Sequence, residues 1–286
     1  VLERQIEAVR GHADAYNVTD NQSARVHASS LAGCILLRQA GLEPVLQLTC
    51  RDRNRLALQA DLIGAALHGI QNVVGLSGDD PSGGDHPQAR FVADIDSVNL
   101  VRMIRTMTDR GVFESGGKIP RRAPDFFVGA VANPFSPPFD YRPERLAKKV
   151  AAGAQFIQTQ LVFNLDRFRE YMRRVVDMGL HERVSILAGV GTVRSLRVAR
   201  YMHDKVPGID VPEAVLARFD GLSKEDQEEV GVELACEIGE AVREIEGVRG
   251  VHIMAMSWAA AVPRVTRALG LYPRPELPGE DEGPLD

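Results

Sequence analysis

Residues 43–70 read EPVLQLTCRDRNRLALQADLIGAALHGI. The first half is a strand, because Leu46 and Leu48 alternate with Gln47 and Thr49 in a period of two. The second half, from Asn54, has the apolar spacing of a helix and stops at Gly69, a residue suited to a helix C-terminus. Between them lie Arg51, Asp52, Arg53 and Asn54. A strand that passes through a short turn into a helix is half of a βαβ unit, and such units build parallel sheets. The charged turn has two readings. It is a solvated loop in which Asp52 caps the next helix, or it is a binding site at the end of a barrel strand.

The same unit recurs outward in both directions. Further strand-like runs are AYNVT (15–19), NVVGLSG (72–78), FFVGAVANP (126–134), FIQTQLVF (156–163), SILAGVG (185–191) and GVHIMAM (250–256). Helical patterns separate them, several ending in glycine: Gly41, Gly69, Gly153, Gly179 and Gly247. Near-continuous apolar strands fit burial on both faces. Seven such units over about 250 residues predict an α/β fold of the (βα)8 TIM-barrel type, one domain over residues 1–271. A doubly wound open sheet is the alternative, but GVGTVRS (189–195) has G-x-G without a third glycine, a weak signal. The chain opens on a helical pattern (Leu2, Ile6, Val9) with no strand before it. The expectation is that strand one is missing from the chain as given and lies upstream of Val1.

Three stretches, 77–90, 109–125 and 204–222, have no regular period and are expected as surface loops or insertions. The tail 272–286 is acidic and proline-rich, and is expected to be disordered. Net charge is −5, which does not favour nucleic acid as a partner. No apolar run reaches the roughly 20 residues of a membrane span. Three separated cysteines, Cys34, Cys50 and Cys236, suit free thiols in a reducing cytoplasm and make no metal motif.

A barrel of this type carries its site at the C-terminal strand ends. That rule collects Thr19, Asp20, Asn21 and Gln22, then Gln47, Thr49, Arg51 and Asp52. It adds Ser77, Gly78 and Asp79, then Asn133, Gln158 and Gln160, and finally Met256, Ser257 and Trp258. The set is rich in amides and carboxylates, with no Cys–His pair and no metal set, so nucleophilic or metal catalysis has little support. It suits a large polar heterocycle, with cations holding its phosphate or carboxylate. Lys148 and Lys149 are offset by roughly 100° on a helix, so one can face the mouth and the other solvent. The plain readings stand beside these: Asp79 as a turn residue, the lysines as a solvated face, Trp258 as core.

Together NVTDNQSARVHASSLA, EPVLQLTCRDRNRLALQADLIGAALHGI, NVVGLSGDDPSGGDHPQA, APDFFVGAVANP, KKVAAGAQFIQTQLVF and GVHIMAMSW resemble the methylenetetrahydrofolate reductase family, in its short bacterial, acetogen-like form without a regulatory domain. The resemblance implies a barrel that binds FAD, with FMN as the alternative, and reduces 5,10-methylenetetrahydrofolate to 5-methyltetrahydrofolate. The electron donor would be NADH, NADPH or another reductant, with a partner redox subunit and a homo-oligomer among the expectations. It implies that Thr19, Asp20, Asn21, Gln47, Ser77, Gly78 and Asn133 line the flavin. Phe91 would lie by the adenine, and Lys148 and Lys149 by the phosphate. Asp79 would be catalytic, placed between flavin and pterin, while Gln160 would meet the folate. Trp258 stands where other members place an arginine near the folate tail, and Val198 where they place a glutamine. The arginine-rich turn exceeds their counterpart, which makes Arg51 a candidate for substrate anions. The family's proton-donating glutamate belongs to strand one, and its motif does not occur here. Two rivals follow from the same residues: a pterin-binding corrinoid methyltransferase barrel, and a non-catalytic flavin- or folate-binding subunit of a redox complex.

Overall fold

Each apolar run becomes a strand and each helical pattern a helix. The computed structural model describes residues 2–120 and 122–275. The order is α1 (Leu2–Val9), β1 (Tyr16–Val18), α2 (Ser30–Gln39), β2 (Pro44–Thr49), α3 (Arg55–Leu67), β3 (Asn72–Leu76), α4 (Ser97–Arg110) and β4 (Phe127–Ala132). It continues with α5 (Arg142–Ala151), β5 (Phe156–Leu161), α6 (Leu165–Asp177), β6 (Ser185–Gly191), α7 (Leu196–Lys205), α8 (Glu213–Ala217), α9 (Lys224–Arg243), β7 (Val248–Met254) and α10 (Val262–Ala268). The strands form one sheet in chain order, every neighbouring pair parallel. This is the predicted (βα)8-type barrel, with seven strands among the described residues.

Alternation along each strand sorts the side chains into two layers. Leu46 and Leu48 of β2 are fully buried among Leu58 and Leu62 of α3 and Leu100 and Ile104 of α4, in the large layer between sheet and helices. Val45 turns the other way, into a separate cluster with Val74 and Phe156, flanked by Leu76, Val131 and Leu187. That second cluster is the barrel interior. Gln47 and Thr49 share the face of Val45, so they point inward at the top of β2, as their alternation predicts.

Among the described residues the sheet does not close by backbone pairing. β1 and β7 are the two ends of its order, and most residues of both are only half-buried. The ends nevertheless face each other across a seam, because the Asn17 amide nitrogen lies 2.9 Å from His252 Nε2. The helical layer is continuous where the sheet is not. α1 packs on α10, and its Ile6 joins Leu37 and Leu42 in a small core of its own.

The stretch predicted to leave the body at 272 is held at its start. Tyr272 stacks on His12 with ring centroids 4.3 Å apart, and Arg274 bridges to Asp14 at 2.7 Å. The rest of the predicted disordered tail, residues 276–286, lies outside the described residues. The glycines expected to stop helices all have positive φ. One further glycine is required by packing. Gly231 of α9 lies so close to the Val193 carbonyl that a Cβ would sit 1.8 Å from that oxygen. Alanine in a helix is ordinarily about 1 kcal/mol better than glycine. Gly231→Ala should instead destabilise the fold by roughly 1–3 kcal/mol through overpacking. Urea denaturation measures the sign, and a stabilised variant would contradict this packing.

Candidate functional site

The turn after β2 settles the two arginines. Arg51 is 2% exposed, and its guanidinium donates to both Asp52 oxygens, at 2.7 and 2.6 Å. It also donates to the carbonyls of Asn21 and Asp79. Hydrogen bonding from Arg51 holds the Asp52 carboxyl below its ordinary range. Arg53 grips the buried Asp20 at 2.7 and 3.1 Å and meets Asp61 of α3 at 2.8 Å. Asp20 accepts in addition from the Thr49 amide and hydroxyl, at 2.8 and 2.9 Å. Arg51 and Asp20, expected at substrate and cofactor, are therefore turned inward to join the loops after β1, β2 and β3. A buried charge needs such partners, and sequence does not show which acids supply them. The helix cap is Asn54, not Asp52, accepting from the amides of Leu56 and Ala57.

The loop after β1 is strained and pinned. Asn21, Ser23 and Ala24 have φ of 47°, 57° and 53°. Such left-handed residues cost on the order of 1–3 kcal/mol each unless the surroundings enforce them. Here Asp79 Oδ2 accepts from the Ser23 amide at 2.7 Å, and Asp85 accepts from the Val26 amide at 3.0 Å. The Asn21 side chain is used within its own loop, accepting from the His27 amide. Thr19 is exposed and donates to Gln22. Asp79 is exposed as well, and its second oxygen has no partner among the described residues. Gly78 has φ 87°, and a Cβ there would lie 2.7 Å from the Arg51 Cβ, so the Ser77–Asp79 turn can wrap the arginine only as glycine. Ser77 reaches Ser97 at 3.1 Å.

β5 ends in an irregularity. Its register with β6 slips between Gln158 and Leu161. The Thr159 hydroxyl fills the bulge, donating to the Gln160 carbonyl and accepting from the Gly189 amide, both at 2.9 Å. A Cβ on Gly189 would come within 2.7 Å of the carbonyls of Thr159 and Gln160, so glycine lets the bulge form. Bulges re-aim side chains at site edges. The Gln160 oxygen folds onto the Leu161 amide, leaving its Nε2 without a partner among the described residues.

The two lysines divide in exposure. Lys148 is exposed and donates to the Tyr141 hydroxyl at 2.6 Å, whereas Lys149 is buried and donates to the Val131 carbonyl. No carboxylate among the described residues pairs with Lys149. Gln47 is half-buried and points inward, and its side chain makes no hydrogen bond within the described residues. Phe91 presents an exposed ring. Asn133 is used locally, accepting from the Phe135 amide at 3.0 Å. Trp258, expected near a substrate tail, is buried against Gly231 of α9 with Arg194 above its ring. Just before it, Met256 and Ser257 hold left-handed φ of 46° and 64° at the end of β7. Cys34 and Cys50 are buried thiols pushed up to about 12 by desolvation, unsuited to nucleophilic work. No group of three metal-ligating side chains occurs among the described residues, and no described helix is long and apolar enough to cross a membrane.

The family model described as "Methylenetetrahydrofolate reductase" matches residues 2–270. The chain belongs to the methylenetetrahydrofolate reductase family. Among curated relatives, "5,10-methylenetetrahydrofolate reductase" of Salmonella typhimurium (strain LT2) is 25% identical over 269 residues, covering 90% of this chain and 79% of that one. "Probable methylenetetrahydrofolate reductase (NADPH)" of Caenorhabditis elegans is 22% identical, covering 87% of this chain. The chain spans only 35% of that nematode protein's length. A solved "Uncharacterized protein from Clostridium thermocellum binds two copies of 5-methyl-5,6,7,8-tetrahydrofolic acid" superposes with a TM-score of 0.61 at 14% identity, covering 94% of this chain and 85% of that one. At that identity the likeness is one of fold. Membership of the reductase family supports methylenetetrahydrofolate reduction as the chemistry of this barrel.

Two residues that strand-end reasoning missed, Asn17 and His252, lie one layer deeper. Each sits on the inner face two positions before the next inward residue, Thr19 or Met254, and that periodicity is the signal that would have found them.

Burial pulls the Lys149 ammonium down to about 8, against about 10.4 in an unfolded chain. Between those values the unfolded state holds more protons, so wild-type stability should rise with pH through that window. Lys149→Met should be more stable than wild type at pH 7, by up to about 3 kcal/mol, with the gap closing towards pH 10. Urea midpoints of both proteins across that range check this, and a pH-independent gap would refute it.

Proposed function

We propose that this chain binds a flavin, FAD in preference to FMN, at the barrel mouth and reduces 5,10-methylenetetrahydrofolate to 5-methyltetrahydrofolate. NADH, NADPH or another reductant would serve as the electron source. The observation that supports this best is the pairing of Asp79, which keeps one carboxylate oxygen free, with Gln160, whose amide is re-aimed by the β5 bulge. Both stand at strand ends of a barrel whose family acts on this substrate.

The residues present fit a flavin. The Gln47 amide points into the interior without an internal partner, as a donor and acceptor for the polar edge of a flat ring. Lys149 is a buried cation whose one bond leaves further N–H groups, chemistry suited to a phosphate oxygen. When bound, the flavin would supply the hydride. The chain's own residues bind and orient. Asp79 would accept from the pterin's ring N–H groups and disfavour extra negative charge on the neighbouring ring. Gln160 would hold the folate through Nε2. Thr19 and the pinned loop behind it would cover the ring's edge. Of the strand-end acids, Asp20 and Asp52 are engaged by arginines, so Asp79 is the one with capacity for ligand.

The test is spectroscopic. Protein loaded with FAD should be yellow, bleach with a reductant and recolour with methylenetetrahydrofolate. Failure to bind flavin would sink the reading, and bleaching without recolouring would favour a non-catalytic binding subunit. Gln160→Leu should slow recolouring by about tenfold or more, the loss of roughly 1.4 kcal/mol, while leaving bleaching unchanged. Equal loss in both halves would remove the role given to Gln160.

A further inference from the structure

The barrel interior is apolar at its floor and polar directly above it. Asn17 of β1, Gln158 of β5 and His252 of β7 meet there. They lie one inward position below Thr19, Gln160 and Met254. The Asn17 amide nitrogen donates to Gln158 Oε1 at 2.8 Å, and Gln158 Nε2 donates back to Asn17 Oδ1 at 3.1 Å. Each amide thus donates to and accepts from the other. The same Asn17 nitrogen has a second hydrogen, directed at His252 Nε2 at 2.9 Å. With the Asn17 amide so oriented, Nε2 is the acceptor and a neutral imidazole carries its proton on Nδ1. Burial supports the neutral form, holding His252 down at about 4. Its Nδ1 is sealed from water and has no partner among the described residues.

Polar side chains inside a barrel cost free energy unless they bond to one another. An apolar layer would fill this space without that cost. The trio also links β1 to β7, which share no backbone pairing among the described residues. We propose that Asn17, Gln158 and His252 form a positioning layer that sets the spacing of Thr19 and Gln160 across the mouth, with His252 acting as a neutral Nε2 acceptor. The inference rests on the proposed folate reduction for its kinetic consequence, while its hydrogen-bond pattern stands independently. None of the three is a catalytic residue. They act through the strands that carry the residues above them.

Nitrogen-15 NMR of histidine-labelled wild-type protein reads the tautomer directly. His252 should show Nδ1 protonated and Nε2 bare from pH 8 down to about 5. An Nε2-protonated ring, or a mixture of tautomers, would overturn the network as assigned. Asn17→Asp keeps the shape but replaces the donor with an acceptor, so it should reverse the tautomer or charge the ring. Kinetically it should raise the methylenetetrahydrofolate KM about tenfold and leave the rate of flavin reduction within twofold of wild type. Asn17→Asp that turns over substrate with unchanged KM would defeat the positioning role while leaving folate reduction intact. A wild type with the expected tautomer but no turnover would defeat the proposed function and spare the network. Should Asn17→Asp not fold, Gln158→Leu gives the same two readouts, with a mixed His252 tautomer and a raised KM expected.

Discussion

The carboxylate of Asp20 is the point on which the mouth of this barrel depends. It is buried, and it accepts from the amide and hydroxyl of Thr49 and from two nitrogens of Arg53. A buried ion left without partners costs several kcal/mol, so this carboxylate is tolerated only when all its donors are in place. That condition orders the ends of β1 and β2 together, and Arg53 extends it to α3 through Asp61. Arg51 does the same for the loops after β1 and β3 by reaching the carbonyls of Asn21 and Asp79. Thr19, Gln47 and Asp79 are therefore mounted on one cross-braced unit. The strain at Asn21, Ser23 and Ala24 is held by that bracing.

The fold was legible because the physics behind it is local. Period-two runs and helical runs alternate, and glycines mark where helices end, so strand order and sidedness follow from the pattern alone. The inward face of Gln47 follows from Val45 two residues earlier. The site was legible only in part. Strand ends pointed to Asp79 and Gln160, because position on a barrel strand is also local. The direction of a charged side chain is not. Arg51 and Asp20 look like ligand-facing groups in sequence, and they turn inward because acids and carbonyls far along the chain meet them there. Trp258 is buried for a similar reason, since the surface that covers it is supplied by α9, a separate element.

The bulge in β5 shows how a site residue can be aimed by chemistry outside the site. Thr159 supplies the hydroxyl that stabilises the slipped register, and Gly189 on β6 gives up its side chain to make room. Neither residue faces the mouth. Both decide where the Gln160 amide stands, so substitutions at either position would act on ligand reading through geometry.

Parallel pairing is the usual constraint on strand register, and β1 and β7 share none among the described residues. Here two other constraints replace it. Outside, α1 and α10 pack across the seam, and Tyr272 and Arg274 fasten the chain beyond α10 to the segment just after α1. Inside, the amide pair of Asn17 and Gln158 reaches β5 on the far side and His252 on β7. Apolar contacts across such a gap could shift by several tenths of an ångström at little cost. Hydrogen bonds weaken steeply with distance and angle, so they hold the edges at one spacing. At this layer the three strands are tied by directional bonds as well as by packing.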